Sequence, residues 1–247
     1  MSNVVRFILC EGKTDAILLS YYLESTKGWV HDKKPKLFRL KSSGNDNLFI
    51  GHYKNGDKEL SVCAVGGKDN FINFYREHIE GYIKASENPD LNYKLAIVVD
   101  RDDRTTEEIE TYFSDNLKPC INNITNDTWT KNTFHDKFDI ETTVDTLCII
   151  IPNDRQGALE NLLMDALSED TYKKNLIDKS KYFVDLVTPE ATKIISTERL
   201  KLKTKFGVSL AVLYPEKTFS LIDEQLKSIP WEKSNILAET FEELLEI

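Results

Sequence analysis

The chain has 247 residues, 40% of them hydrophobic and 30% charged, and a net charge of −9. That length suits one large domain or a domain with a substantial appendage. The acidic balance excludes a general nucleic-acid coat, which would be basic, and no run of about 18 apolar residues exists to span a membrane.

The first predicted strand is "NVVRFILC", 3–10. Its flanks lack the basic stretch, long apolar core and small-residue site of a signal peptide, so it reads as a strand. A helix-like stretch follows at 14–25. "LFRLKSSGNDN" and "GHYKNGDKEL" read as an added strand or hairpin ahead of the second core strand, 59–65. Then come a helix at 69–86, a strand at 93–100 and a helix at 105–117. Residues 118–144 are polar and read as an irregular insertion on the sheet. A fourth strand, 145–151, precedes a mostly helical remainder: "RQGALENLLMDALS", "PEKTFSLIDEQLKS" and "SNILAETFEELLEI".

The four core strands are nearly continuous in apolar residues, as strands buried on both faces of a parallel sheet are. Alternation of strand and helix predicts an α/β, doubly wound, Rossmann-like core. Right-handed crossovers put every strand C-terminus on one edge. Cys10, Cys63, Cys120 and Cys148 are scattered, three of them inside strand-like runs and none in a C-x-x-C pair. They read as buried reduced thiols of a cytoplasmic protein. Four isolated histidines remove the usual zinc pattern.

Each strand end carries polar chemistry. Glu11-Gly12-Lys13-Thr14-Asp15 follows the first, Gly66-Gly67-Lys68 the second, and Asp100-Arg101-Asp102 the third. Topology alone brings these turns to one crevice. Two carboxylates ~4 Å apart cost on the order of 4 kcal/mol at an effective dielectric near 20. Glu11, Asp15, Asp100 and Asp102 therefore need protons, arginine or metal. An all-oxygen set without His or Cys selects Mg²⁺ or Mn²⁺.

Each residue also has a plainer reading. Asp102 and Asp103 would serve as caps for the next helix, and Thr14 or Asp15 as caps for the first. Gly66 and Gly67 would permit a tight turn or cradle phosphate through their N–H groups. Lys68 would be a solvated lysine, and Glu160 a surface glutamate beside Leu159, Leu162 and Leu163. Lys33, Lys34, Lys36, Arg39 and Lys41 would form a solvated face or guide a phosphate backbone.

The ordered set (strand-Glu-Gly-Lys-x-Asp, strand-Gly-Gly-Lys, strand-Asp-x-Asp) resembles the TOPRIM domain of topoisomerases, primases and OLD-family nucleases. "IIIPNDRQGALENLL" is similar to the Pro…Gly-x-Leu-Glu-x-Leu signature of small standalone TOPRIM proteins related to OLD nucleases, a family of unknown function. The resemblance implies a TOPRIM-like catalytic core over 1–168, with its insertion at about 118–144, and a helical extension over 169–247 packed on that core. It implies metal held by Glu11, Asp15, Asp100, Asp102 and Glu160, with Gly66, Gly67 and Lys68 binding phosphate. A lysine among Lys201, Lys203 and Lys205 would assist, Lys203 being favoured.

The expected function is a metal-dependent endonuclease on DNA or RNA, in phage or foreign-DNA defence. The alternative is a non-catalytic partner of an ATPase, since no G-x-x-x-x-G-K-[ST] occurs in the chain. Receiver domains and dehalogenase-like phosphatases also use strand-end aspartates, but there the acidic pair follows the first strand. Topoisomerase and primase activities would need parts that this length does not hold.

Overall fold

The computed structural model describes residues 3–36, 38–39, 48–85 and 91–247. β1 (Asn3–Cys10) leads to α1 (Lys13–Lys27), a short β2 (Val30–His31), then the hairpin β3 (Phe49–Asn55) and β4 (Lys58–Ala64). A continuous helical stretch follows: α2 (Phe71–Phe74), a π-helical turn (Tyr75–Glu80) and α3 (Gly81–Lys84). Next come β5 (Leu91–Asp100), α4 (Thr106–Asn116), β6 (Thr130–His135) and β7 (Glu141–Ile151). Helices α5 (Leu159–Leu167), α6 (Thr171–Val187), α7 (Glu198–Leu213), α8 (Ile222–Lys227) and α9 (Asn235–Thr240) complete the chain, interspersed with 3-10 turns.

One seven-stranded sheet has the order β2-β3-β4-β1-β5-β7-β6. Its four central strands are parallel, and both edges are antiparallel. The fold is α/β with a mostly parallel core, as the strand pattern predicts. The strand or hairpin expected ahead of the second core strand is the single strand β3, which pairs antiparallel with that core strand, β4; "KSSGNDN" lies outside the described residues. The polar insertion is more regular than expected. It supplies β6, paired along β7, and Asn132 within it caps the backbone N–H groups of Asn122 and Asn123 at 2.9 Å each.

The continuous apolar runs have a simple cause. Successive strand residues point to opposite faces, and both faces are covered. Ile8, Cys10, Ala96, Val98, Ile149 and Ile151 pack with α1, α5 and the C-terminal helices. Phe7, Leu9, Leu95, Ile97, Val99 and Ile150 pack with α2–α4 on the other side. Residues after 169 share the first of these cores: Ile177, Phe206, Leu210, Trp231, Leu237 and Phe241 are all within it. Asp100 continues the parity of Ala96 and Val98. It therefore emerges on the side of α5 and α7, which decides what it meets.

Candidate active site

The crevice forms where β1, β4 and β5 end. Asp100, 1% exposed, is its floor. Its Oδ1 accepts the Leu159 N–H at 2.8 Å, at the first turn of α5. A carboxylate there compensates both an unpaired amide and the positive end of the helix dipole. Its Oδ2 accepts from Arg199 Nη2 at 2.5 Å. From the adjacent strand Glu11 reaches across, its Oε1 accepting the Asp100 N–H at 3.2 Å. Asp15 sits one turn into α1 and takes the Gly12 N–H at 3.1 Å. The N-cap of α1 is Gly12, and neither Thr14 nor Asp15; Asp15 bonds back to that cap from the third helical position while belonging to the cluster.

Asp102 reaches the site from a turn and not from the strand itself. It does not continue the strand parity of Asp100. β5 ends at Asp100, and Asp102 adopts φ 53°, a left-handed conformation. Backbone bonds in both directions to Gly157, 2.8 and 3.1 Å, hold that turn. Gly157 has φ 147°, and a Cβ there would lie 2.4 Å from Asn161 Oδ1; only glycine fits. The Asp102 carboxylate meets Lys68 Nζ at 2.9 Å and Arg199 Nη1 at 3.6 Å. Neither Asp102 nor Asp103 caps α4. Thr105 does, its hydroxyl accepting the Glu108 N–H and Glu108 returning to the Thr105 N–H.

Glu160 lies on the first turn of α5, 3.9 Å from Arg199 Nη2, with its side chain 14% exposed. Its Oε2 is buried and has no hydrogen-bond partner among the described residues. Of the three lysines in "LKLKTK", Lys201 and Lys205 pair with Asp185 at 2.8 and 2.9 Å. Lys203 alone of the three lines the crevice, a space of about 490 Å³ bounded by Glu11, Asp15, Glu160 and Arg199 among others. The Gly66 and Gly67 N–H groups are spent on the Glu11 carbonyl, at 3.0 and 2.9 Å. In this arrangement they shape the turn and fix Glu11, and do not face a phosphate. Lys68 is engaged with Asp102 and is half-exposed.

Two arginines organise the site, and sequence reasoning missed both. Arg199, on the first turn of α7 just after its cap Thr197, touches Asp100, Asp102 and Glu160. The only signal for it was the charge balance, which demanded a cation without naming one. Arg101 is buried and donates to the Pro152 and Asn153 carbonyls at 2.8 and 2.6 Å and to the Thr106 hydroxyl at 3.1 Å. It ties the β7–α5 loop to the end of β5, and so sets where Glu160 and Leu159 stand.

One guanidinium and one paired ammonium do not neutralise five carboxylates. Burial, followed by the charges of Asp100, Asp15 and Asp102, pushes the Glu11 carboxyl up to about 8. Burial and Asp100 push Asp15 to about 7. Asp100 rises to about 6, burial outweighing the pull of Arg199. Burial works against the charge on Arg199, but Asp100 and Glu160 more than offset it and hold the proton on more tightly than usual. The donor set is all oxygen, with one buried oxygen unsatisfied, which fits Mg²⁺ or Mn²⁺ in chemistry. As the side chains stand, turned onto Arg199 and Lys68, no three His, Cys, Asp or Glu among the described residues form a group that would hold an ion.

A family model described as "Protein of unknown function (DUF3226)" matches residues 5–245. No curated protein matches the chain. Among solved structures, it is similar to the crystal structure of hypothetical protein PH0156 from Pyrococcus horikoshii OT3, at 13% identity and a TM-score of 0.45. That likeness covers 97% of this chain and 99% of the other.

Proposed function

The chain belongs to the DUF3226 family, and we propose that it is a TOPRIM-type nuclease that cleaves phosphodiesters of DNA or RNA with Mg²⁺ or Mn²⁺. One observation carries the reading: Glu11 and Asp100, on adjacent parallel strands, are joined by the Asp100 N–H to Glu11 bond at 3.2 Å. Glutamate after the first strand beside Asp-x-Asp after a later one is the arrangement that the motifs imply. Receiver and dehalogenase-like readings need the acidic pair after the first strand, the opposite order.

Glu11, Asp100, Asp102 and Glu160 would hold the ion, with Asp15 behind them. A bound divalent ion supplies an activated water and stabilises charge on the leaving oxygen. Without metal the Glu11 carboxyl, raised to about 8, keeps its proton near neutral pH, so ion binding there would release one. Lys203 and Arg199 line the crevice as cations for the charge that builds on phosphorus. Arg199 now neutralises Asp100; divalent metal would take over that task and free the guanidinium for phosphate.

The test is a cleavage panel of supercoiled DNA, single strands and tRNA with Mg²⁺ or Mn²⁺, wild type against Asp100→Ala. Metal-dependent cleavage that the variant abolishes is expected. No cleavage of any substrate, with Arg199 retained on Asp100 in the presence of metal, would favour a regulatory partner of an ATPase instead.

A further inference from the structure

A chain of net charge −9 needs a local basic surface to hold a polyanion, and the charge is not evenly spread. Residues 171–213, helices α6 and α7 with their connection, hold nine Lys and Arg against four Asp and Glu, a net +5. Lys174, Lys179 and Lys193 are exposed and make no ion pair among the described residues. The other basic cluster, Lys33–Arg39, is at the wrong end of the sheet. The single Lys36 backbone N–H donates to both Glu59 carboxylate oxygens, at 2.9 and 3.0 Å, and Glu59 pairs with Val5 near the start of β1. The crevice is at the far end of that strand. Lys41 lies outside the described residues.

The α6–α7 hairpin also carries exposed aromatic surface. Tyr172 is 74%, Tyr182 65% and Phe183 54% exposed. At 100° per residue these fall with Lys179 and Leu186 on one face of α6, opposite the buried Ile177, Ser180 and Val184. Lys179 is therefore flanked by aromatic rings three and four positions on. The face is tied to the crevice. Asp185 grips Lys201 and Lys205, which fixes the C-terminal end of α6 against the first half of α7. Arg199 begins that same half, within about 9 Å along the helix axis of Lys205, and bonds Asp100.

We propose that the outer face of α6 and the α6–α7 loop form a docking strip for single-stranded nucleic acid. Phosphates lie on Lys179 and Lys193 and unpaired bases against Tyr182 and Phe183, and the strand leads on to the crevice at Arg199 and Lys203. Cations interleaved with aromatics suit a single strand because its base faces are open for stacking; a duplex hides them. The direction of the strand rests on the nuclease reading of the crevice, whereas the binding itself does not.

The experiment is fluorescence anisotropy of a labelled oligothymidylate of about 20 nucleotides with the full chain in EDTA, over a series of salt concentrations. Lys179→Gln with Lys193→Gln is expected to weaken binding and to flatten the log–log salt slope by about 1.4, two phosphate contacts at ~0.7 each. Tyr182→Ser with Phe183→Ser should weaken it about 30-fold or more with the slope unchanged. All four side chains are exposed, so thermal unfolding should not move. Absence of wild-type binding, or variants that bind as wild type does, would overturn the proposal. So would light scattering that finds a dimer which the aromatic variant converts to monomer, because the face would then be an interface between copies. Hydrolysis of bis(p-nitrophenyl) phosphate with Mn²⁺ separates the two readings. Ester cleavage with no effect of the hairpin variants on strand binding removes the docking strip alone; strand binding through the hairpin without ester cleavage removes the nuclease alone.

Discussion

Arg199 and Asp100, 99 residues apart in the chain, meet at 2.5 Å, and Asp100 is 1% exposed. Arginine supplies the neutralisation that the acidic strand end demanded, and it competes with any divalent ion for the same oxygen. Arg199→Met should therefore tighten Mn²⁺ binding in calorimetry while lowering cleavage at least tenfold. In metal-free buffer near neutral pH it should cost at most about 3 kcal/mol, the low end for stripping one partner from a buried pair, because Asp100 takes up a proton instead. Weaker metal binding by the variant would show that Arg199 supports the ion rather than replaces it.

Stability without metal should fall as pH rises. Glu11, Asp15 and Asp100 titrate near 8, 7 and 6 in the folded chain, above the unfolded carboxylate range of about 4. Between those limits the folded state binds more protons than the unfolded one, so unfolding free energy declines with pH. The contribution is complete below about pH 4 and gone above about pH 8. Thermal unfolding in EDTA should give a lower Tm at pH 8.5 than at pH 6 (roughly the two sides of these transitions), and Glu11→Gln should flatten the upper part. Magnesium at the higher pH should restore Tm by binding the folded state only. A Tm rising steadily through this window would contradict the burial of these carboxyls.

Glu160 is the residue for which helical spacing and site geometry disagree most. A surface glutamate changed to Gln would alter stability by a few tenths of a kcal/mol and do nothing else. With a buried oxygen ion-paired to Arg199 but not hydrogen-bonded among the described residues, Glu160→Gln should instead cut cleavage about a hundredfold, the scale of one positioned catalytic group. Activity within about threefold of wild type, where Asp100→Asn is inactive, would take it out of the site.

The three lysines of α7 separate cleanly. Lys203→Met should lower kcat on a small phosphodiester about a hundredfold. Lys201→Met and Lys205→Met remove only solvent-screened pairs with Asp185, away from the crevice, and should stay within about threefold. Equal losses in all three variants would mean that the helix, and not Lys203, is what matters.

Arg101 should be structural. Arg101→Leu leaves the Pro152 and Asn153 carbonyls without their donor, at a cost of about 1.5–3 kcal/mol for each charged hydrogen bond at most. Urea unfolding measures this. Cleavage should fall with it, since the β7–α5 loop carries Glu160; a variant as stable as wild type would refute that role.

The sequence by itself determined the strands and the edge on which the acids gather. Unbroken apolar runs can be satisfied only between two apolar layers, and parallel order then brings Glu11 and Asp100 to neighbouring strand ends. Glu11, Asp15 and Asp100 were legible for that reason, each within a few residues of a strand. Tertiary structure alone decided which cation answers them. Arg199 lies in a helix with nothing local to mark it, and only the packing of α7 against α5 carries it to Asp100. The same packing turns Lys203 to the crevice and Lys201 and Lys205 to Asp185, although the three alternate within five residues. Local pattern fixes where a backbone runs; the partner of a long, flexible, charged side chain is chosen by whatever distant element is folded beside it.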